Sequence, residues 1–516
     1  MTPTRFIRTL VLFISLALLA ACSSSTTRDD PTALDVADVG PSPGASGSPG
    51  SPDRGVGEGT GTAGADGEAT GSSSGSSAGT TTSTGGTDDT DGGATGGSAG
   101  TATTSASTTT SGSAPPTEAE PFVLGLVQQS QNAAGQLGLE LDIPTDARLE
   151  RWIEALRDHV NERGGVAGHE LQTVIRWVDQ SDQSEANQTR LQTQVCTEMT
   201  EDLNVDMVAG DATNWVLECY ASHQMPLFNP LITRDEEQLE PVRPWVLPSL
   251  FLTFDRLAQL FPLSLEQQGG ISERMGVITF DLPWYNRAVD DILVPEIKRR
   301  GGEVLQVVRT PVDPPTIAAQ MQSAALQFKT QDIDEVVMFA NGGGTWLLFA
   351  QAAESQNYHP GYGVSTLDRA YFITDAMPPG QLGDVKGPGF LVTFDVDPDQ
   401  YPPISDQERE CWAILNERAD EDFEGRNSDS SIASAICDIF FLMHTALDGA
   451  APGTLARERV PDLFAQMGRS YVSTIVGPTD FSAGRGDAVD RYRNMIYDTA
   501  CTCMRYVTDP LPIPFN

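Results

Sequence analysis

Residues 148–178 read RLERWIEALRDHVNERGGVAGHELQTVIRWV, a helix-like segment, Arg148–Glu162, followed by a strand-like one, Leu171–Val178. The apolar residues of the first segment recur at helical spacing, whereas the second is a short, mostly apolar run. Gly164 and Gly165 stand between them, and glycine is the residue that most readily adopts the left-handed conformation ending a helix. This stretch therefore predicts a helix, a glycine turn and a buried strand in succession.

The same alternation extends in both directions from this stretch. A first series runs from the predicted strand Val123–Val127 through further elements at Glu185–Met199, Val205–Gly210, Thr213–His223 and Pro226–Phe228. A second series has predicted helices at Asp255–Gln268, Asn286–Arg300, Thr316–Phe328 and Thr345–Glu354, and predicted strands at Met275–Phe280, Val304–Arg309, Glu335–Ala340, Tyr371–Thr374 and Phe390–Phe394. Apolar strands separated by helices are typical of parallel sheets covered on both faces. The two series predict an α/β fold of two Rossmann-like lobes with open parallel sheets.

The C-terminal part predicts three helices and then three strands. They lie at Ser405–Asp420, Ser431–Leu447 and Ala456–Met467, and at Val472–Ile475, Arg493–Tyr497 and Met504–Val507. We expect the helices to complete the first lobe and the strands to complete the second. Lobe 1 would then comprise residues 121–248 and 392–470, and lobe 2 residues 249–391 and 471–516.

The N-terminus has the features of a secretory signal. Arg5 and Arg8 precede the apolar core Leu10–Leu19, which is short for a membrane span and ends at Ala20-Ala21-Cys22. Leu-Ala-Ala-Cys resembles the bacterial lipobox, which implies a signal peptide over residues 1–22, cleavage before Cys22 and a lipid on the Cys22 sulfur. An ordinary signal peptide with an incidental cysteine is the alternative.

Residues 23–120 consist almost entirely of Ser, Gly, Thr, Ala, Asp and Pro, and contain no Phe, Trp, Tyr or Lys. Such a composition cannot bury enough apolar surface to offset the loss of chain entropy, so we expect a disordered tether. The formal net charge of the whole chain is −39, which argues against nucleic acid as a partner because phosphate binding needs a positive face.

The remaining cysteines are even in number, which favours disulfides in an exported chain. The sequence alone leaves their connectivity open. The predicted helices favour the pairs Cys196–Cys219 and Cys411–Cys437, which leaves Cys501 and Cys503 to bridge locally. No histidine was expected at metal-ligand spacing from these cysteines, and no Ser-His-Asp order or HExxH motif is present. We therefore expect no metal, no cofactor and no catalytic residues.

Several motifs resemble one known family. They are Val160–Leu171 followed by Asp179, Gly210–Thr213, Pro226–Pro230, Phe339–Gly344, Phe372–Asp375 and Gly477–Phe481. In order and spacing they are similar to the type I periplasmic solute-binding proteins of the branched-chain amino-acid and amide class. The resemblance implies two lobes joined by a multi-strand hinge and a small-molecule ligand held between them. It also implies an extracytoplasmic location with attachment to the membrane through the lipid alone, and an ABC permease as partner.

One segment departs from the family pattern. After the first strand the family often has small hydroxyl residues and a Gly-aromatic pair, whereas residues 128–136 read QQSQNAAGQ. The departure favours a ligand more polar than a branched-chain amino acid.

Ligands of open parallel sheets bind outside the carboxyl ends of the strands. Thr213 would begin a helix, where free N–H groups favour a carboxylate, although a plain N-cap has the same sequence. Asp375, predicted to end a strand of the opposite lobe, would hold a ligand ammonium or simply cap a turn. Tyr285, beside Trp284, would cover the ligand or pack within its lobe. The expected ligand-binding residues are Ser130, Thr213, Ile232, Tyr285, Asn341 and Asp375.

Two functions agree with this pattern. The first is a binding subunit that delivers an amino acid, amide or similar polar ligand to an ABC importer. The second is a ligand-sensing receptor of the cell envelope that does not transport.

Overall fold

The computed structural model describes residues 120–129, 144–179, 185–312, 314–341, 343–451 and 454–515. The predicted signal peptide, Cys22, the predicted tether up to residue 119 and Ser130 lie outside the described residues. The elements below are numbered in chain order.

The first lobe contains a parallel four-stranded sheet in the order β2-β1-β3-β4. Its strands are β1 (Phe122–Gln129), β2 (Leu171–Val178), β3 (Met207–Gly210) and β4 (Leu227–Phe228). The helices between them are α1 (Asp146–Glu162), α2 (Glu185–Thr197), which continues as the π turn Glu198–Asp202, the 3₁₀ turn Asn214–Val216 and α3 (Leu217–Ser222).

The turn between α1 and β2 depends on glycine. Gly165 has φ +75°, and a Cβ atom added there would lie 1.9 Å from the carbonyl oxygen of His169. Only glycine accepts both this conformation and this close approach. The chain then enters β2, where the N–H of Leu171 donates to Asn161 Oδ1 at 2.7 Å and ties the strand to the helix.

A segment containing α4 (Glu236–Leu239) and the 3₁₀ turn Glu240–Val242 connects the first lobe to the second. The second lobe has an eight-stranded sheet whose main path is β13-β12-β9-β8-β7-β5-β6. Its first five strands are parallel: β5 (Met275–Phe280), β6 (Val304–Thr310), β7 (Glu335–Phe339), β8 (Gly361–Gly363) and β9 (Val385–Gly389).

The helices of this lobe alternate with its strands. They are α5 (Phe254–Gln267), α6 (Pro283–Arg287), the π turn Ala288–Leu293, α7 (Val294–Arg299), α8 (Pro314–Thr330), α9 (Gly344–Ser355), α10 (Ala370–Thr374) and α11 (Val392–Asp395), with 3₁₀ turns at Thr366–Asp368, Pro379–Gln381 and Pro398–Gln400. The two lobes with parallel sheets that the sequence predicted are therefore present.

Two predicted strands of the second lobe were wrong. Tyr371–Thr374 lies within helix α10, and the predicted strand Phe390–Phe394 follows β9 instead and overlaps helix α11. The true strands are Gly361–Gly363 and Val385–Gly389, whose glycine, proline and lysine obscure the β pattern. The buried Lys386 is accepted there because its Nζ lies 2.6 Å from Asp384 Oδ2 and 3.5 Å from Glu335 Oε2.

The helices of the C-terminal part pack on the first lobe. They are α12 (Asp406–Arg418), α13 (Ser428–Leu447), the 3₁₀ turn Arg457–Arg459 and α14 (Val460–Met467). Both α12 and α13 contact α1. Trp152 Nε1 of α1 donates to Glu421 Oε1 at 2.7 Å, and Arg148 of the same helix forms ion pairs with Glu421 and Asp429.

The last strands belong mainly to the second lobe. They are β10 (Val472–Ser473), β11 (Gly477–Pro478), β12 (Arg491–Asp498), β13 (Cys503–Tyr506) and β14 (Leu511–Pro512). β12 runs antiparallel to β9, β13 and β14, while β10 and β11 form a separate hairpin.

Among the described residues one helical stretch, Asp429–Leu447, is long and apolar enough to cross a membrane. In the structure 78% of that stretch is buried within the protein. It is therefore positioned as a core helix of the domain.

The structure joins the six described cysteines in three pairs, Cys196–Cys219, Cys411–Cys437 and Cys501–Cys503. The first two link successive helices. The third closes a ring around Thr502 at the tip of the β12–β13 hairpin, where Thr502 has φ +55°.

We predict that Cys501–Cys503 is reduced before the other two bonds. Cys501 is exposed, whereas Cys196, Cys411 and Cys437 are buried, and an accessible sulfur is attacked more readily by a thiolate. Dithiothreitol titration followed by alkylation and peptide mapping gives the order of opening. Labelling of the buried cysteines at a lower dithiothreitol concentration than Cys501 would contradict the prediction.

Candidate functional site

A cavity of about 220 Å³ lies between the two lobes, at the carboxyl ends of strands from both sheets. Its lobe 1 wall follows β3 and β4 and consists of Thr213, Asn214, Trp215, Leu231, Ile232 and Thr233. Its lobe 2 wall follows β5, β7, β8 and β9, and also includes the first residue of α5 and a residue before that helix. It consists of Phe251, Phe254, Trp284, Tyr285, Asn341, Thr366, Leu367, Arg369 and Phe394. This is where open parallel sheets place ligands.

Four of the six residues expected from the sequence line this cavity: Thr213, Ile232, Tyr285 and Asn341. Ser130 is outside the described residues. Asp375 does not line the cavity, because it is an exposed residue at the C-terminal end of α10. The expectation that Asp375 ends a buried strand was therefore wrong, and the reason is that the preceding residues are helical.

The lobe 1 wall contains hydrogen-bonding groups without partners. Thr213 is the N-cap of a 3₁₀ turn, as its position suggested, but its hydroxyl makes no capping bond. The buried Thr213 Oγ1, Trp215 Nε1 and Thr233 Oγ1 have no hydrogen-bond partner among the described residues. Buried polar groups are nearly always paired, so three such atoms on one wall call for a physical reason.

Arg234 stands directly behind this wall. Its side chain is fully buried, and Nη1 reaches only Asn214 Oδ1 at 3.5 Å. Nε and Nη2 have no partner among the described residues, and burial lowers the pKa of the guanidinium to about 9. At neutral pH the group still carries its charge, so a buried cation without a counter-ion among the described residues lies next to the cavity.

Arg369 provides a second cation from the opposite lobe. It follows the 3₁₀ turn Thr366–Asp368, adopts φ +50°, and places its guanidinium 5.0 Å from the ring centroid of Phe394. Arg369 is exposed to solvent in the cleft, while the atoms packed around its guanidinium lower the pKa of that group by desolvation. It forms no ion pair with any described residue, so its charge is available to a ligand.

The carboxyl groups near the lobe 2 wall form hydrogen bonds with other groups of the protein. Asp395 accepts hydrogen bonds from Thr366 Oγ1, the N–H of Leu391 and Tyr506 Oη at 2.8, 2.9 and 2.7 Å. Asp368 Oδ2 accepts the N–H of Ser365 at 2.8 Å. Burial raises the pKa of Asp395 to about 7 and that of Asp368 well above its ordinary value.

Aromatic rings form the rest of the cavity wall. Trp215 of lobe 1 contacts Trp284 of lobe 2, with ring centroids 5.9 Å apart. Phe254 packs on Tyr285 at 4.5 Å, and burial raises the pKa of the Tyr285 hydroxyl. The wall thus offers flat apolar surface beside two cations.

Gly343 explains the glycine run after Asn341. It has φ +72°, and a Cβ atom there would lie 2.3 Å from the carbonyl oxygen of Asp368. The backbone therefore comes very close to that of Asp368 at the start of α9, and this brings the turn containing Arg369 against the turn containing Asn341.

Arg369, Arg234 and Thr233 are not among the residues that the sequence predicts at the site. The signal for Arg369 was present in Ser365–Asp368, a capping box directly after the short strand β8. The β-branched and aromatic residues of Tyr371–Thr374 gave a stronger strand pattern than β8 and obscured this signal. Arg234 had no sequence signal, since a buried arginine cannot be distinguished from an exposed one by type.

The spacing argument against a metal ligand near the cysteines was also wrong. Cys219 and His223 are four residues apart, and His223 lies within 4.8 Å of the Cys196 and Cys219 sulfurs. The two sulfurs are bonded to each other, however. His223 Nδ1 lies 2.8 Å from the carbonyl oxygen of Cys219, and Nε2 lies 3.0 Å from Glu201 Oε1.

Comparison with known proteins agrees with this architecture. Residues 149–498 match the model of the family described as periplasmic binding protein. No curated protein sequence matches the chain.

Solved structures with the same fold include three solute-binding proteins. A substrate-binding protein from Desulfitobacterium hafniense in complex with leucine has 14% identity and a TM-score of 0.53, covering 75% of this chain and 100% of its own. A protein from Rhodopseudomonas palustris in complex with 4-hydroxybenzoate has 15% identity and a TM-score of 0.55, covering 76% and 96%. A branched-chain amino acid transporter substrate-binding protein from Streptococcus pneumoniae, in complex with isoleucine, has 15% identity and a TM-score of 0.52, covering 76% and 100%. At these identities the likeness shows the fold.

Proposed function

The chain belongs to the periplasmic binding protein family, and from that membership we propose that it is an extracytoplasmic lipoprotein that captures a small polar ligand for an ABC importer. One observation carries the proposal: a single cavity is lined by strand-end residues of both sheets. A ligand there would contact Thr213 and Ile232 of lobe 1 together with Tyr285 and Asn341 of lobe 2. Contact with both lobes favours a closed form, which a membrane permease can distinguish from an empty one.

The size of the cavity limits the ligand. About 220 Å³ is smaller than the roughly 300–1,000 Å³ of sites for drug-sized molecules. This favours a ligand the size of an amino acid, an amide or a benzoate. The solved structures with leucine, isoleucine and 4-hydroxybenzoate hold ligands of this size in the same fold.

A thermal-shift screen of amino acids, amides and small carboxylic acids tests ligand binding. A bound ligand raises the unfolding temperature in proportion to the logarithm of its concentration above Kd. Tyr285→Ala should reduce the shift, whereas Trp177→Ala, a change in a half-buried side chain outside the cavity, should preserve it. If no small molecule stabilises the protein, solute binding is not its function.

The receptor role remains the second candidate, and gene context distinguishes the two. Genes for a permease and an ATPase beside this one would favour import, and their absence together with a neighbouring signalling protein would favour sensing.

We predict that Cys22→Ser releases the protein from the membrane fraction, because the proposed anchor is a lipid on that sulfur. Ser24→Ala lies two residues further on and should leave the protein in the membrane fraction. Fractionation followed by immunoblotting measures both variants. Mass spectrometry that finds an unmodified Cys22 in the native protein would disprove the anchor.

A further inference from the structure

Both walls of the cavity present hydrogen-bond donors or positive charge. Thr213, Trp215 and Thr233 present hydrogen-bond donors that have no partner within the described part of the chain, where the charge of Arg234 behind them is also unpaired. Arg369 adds a guanidinium from the other lobe. Each of these groups can donate a hydrogen bond, and two carry positive charge, so together they favour an anionic group such as a carboxylate.

An ammonium group has no comparable partner among the residues that the structure describes at the cavity. None of the described residues that line the cavity is an aspartate or a glutamate. The buried Asp368 is next in sequence to Arg369 and has one unpaired oxygen. It does not line the cavity, and burial raises its pKa well above its ordinary value, which favours the neutral acid. An amino acid would bring its ammonium group close to the guanidinium groups of Arg234 and Arg369, and like charges repel.

The apolar part of the wall is aromatic. Phe251, Phe254, Trp284, Tyr285 and Phe394 surround the cavity, and Trp215 contacts Trp284 across it. Aromatic side chains stack favourably on a flat ring at edge or offset geometry. A planar aromatic body matches this surface better than a polar or highly charged one.

We propose that the ligand is a small aromatic carboxylate without an ammonium group, with its carboxylate held between Arg369 and the donors of the Arg234 wall. This inference rests on the proposed function, since it names the ligand class of the same cavity. It differs from the amino-acid ligand expected from the sequence, in which Asp375 would hold an ammonium group.

Matched ligand pairs test the class directly by calorimetry. 3-Phenylpropanoate differs from L-phenylalanine only by the α-ammonium group, and 4-methylpentanoate differs from L-leucine in the same way. A panel of benzoate, 4-hydroxybenzoate and phenylacetate samples the distance from ring to carboxylate. We expect at least one aromatic acid of the set to bind, the acid without ammonium to bind at least tenfold more tightly than its amino acid, and 3-phenylpropanol to bind weakly.

Arg369 variants test the recognising group. Arg369→Gln should weaken binding of the best aromatic acid about tenfold to a hundredfold, because a charge-assisted hydrogen bond is lost. Arg369→Lys keeps the charge but loses the planar fork, so its affinity should fall between those of the wild type and the glutamine variant.

Arg234→Met provides a readout that a purely structural role would not give. Removing an unpaired buried charge should raise the unfolding temperature of the ligand-free protein, while the affinity for the aromatic acid falls. The matched control is Arg256→Met, which removes a buried arginine that is paired with Asp487 and should lower the unfolding temperature.

The outcomes separate the two proposals. Tighter binding of L-phenylalanine or L-leucine than of their matched acids would overturn the ligand class and leave solute binding intact, as would unchanged affinity in Arg369→Gln. An absence of binding by every acid, amino acid and amide would overturn the proposed function and the ligand class together.

Discussion

Replacing Asp487 with alanine is expected to lower the free energy of unfolding by about 3–5 kcal/mol. Asp487 is fully buried and forms an ion pair with Arg256, which is 4% exposed. The second carboxylate oxygen accepts the N–H of Thr253 at 2.8 Å. The substitution leaves a buried guanidinium without its counter-ion and a buried N–H without its acceptor, and both raise the free energy of the folded state.

The position of this pair adds to its importance. Arg256 lies in α5 and also donates to the carbonyl oxygen of Val489 at 3.0 Å, while Ser249 and Asp487 form an isolated β-bridge. The pair therefore fastens the chain that enters lobe 2 to the segment just before β12. Loss of the carboxylate disconnects two segments that are far apart in sequence.

Urea denaturation of wild type and Asp487→Ala measures the effect. Asp406→Ala is the matched control, because the side chains of Asp406 and its partner Arg409 are 95% and 59% exposed, and exposed pairs contribute about 0–1 kcal/mol. Asp487→Asn combined with Arg256→Met should recover part of the loss, since it removes both charges and keeps an oxygen for the backbone donor. A loss for Asp487→Ala no larger than the control's would show that the buried pair does not stabilise the fold.

The sequence predicted those parts of the fold whose local pattern agrees with the final structure. β1 and β5 are runs of apolar residues buried by neighbours on both sides, so composition and environment point the same way. β8 and β9 read GYG and VKGPG, and they are strands because adjacent strands supply their hydrogen bonds. Tertiary context overrides propensity there, and no single-sequence pattern could reveal it.

The candidate site residues were predictable only where the strand before them was predicted correctly. Thr213, Ile232, Tyr285 and Asn341 were found because they follow correctly placed strands, and strand ends are where ligands bind in this architecture. The prediction for Asp375 placed a strand too late in the chain, so the residue lies at the end of helix α10 and outside the cavity. Arg369 occupies the corresponding place at the end of β8, and its cationic charge changes the expected ligand.

Asp395 is expected to make the protein less stable as the pH rises from 5 to 8. Burial raises its pKa to about 7 from an ordinary value of 3.8. Between these two values the folded chain holds the proton and the unfolded chain has released it, so folding takes up a proton and raising the pH favours unfolding. The full difference corresponds to about 4 kcal/mol, at 1.36 kcal/mol per pKa unit, and about 2–3 kcal/mol of it falls between pH 5 and 8.

Asp395→Asn isolates this contribution. The amide is neutral at every pH, and its oxygen can still accept the N–H of Leu391 or the hydroxyl of Thr366, the bonds that Asp395 makes now. Burial also raises the pKa of Asp211 and of Asp438 to about 6, and both groups titrate equally in the two proteins. The stability of the variant minus that of the wild type should therefore be larger at pH 8 than at pH 5 by about 2–3 kcal/mol.

Urea unfolding curves at half-unit pH intervals give this difference directly. Arg493 is the positive charge that favours the ionised form of Asp395, and Tyr506 donates to the same carboxyl. Removing Arg493 should raise the carboxyl pKa further, so Arg493→Gln should move the stability loss to higher pH. Parallel curves for the wild type and Asp395→Asn across this range would mean that Asp395 does not titrate there.

Because Thr366 lines the cavity and donates to Asp395, the same titration should also change the affinity for an anionic ligand. Ionisation of Asp395 places a negative charge behind the cavity wall that we propose binds an anion, so affinity should weaken as the pH rises through 7 in the wild type and stay level in Asp395→Asn.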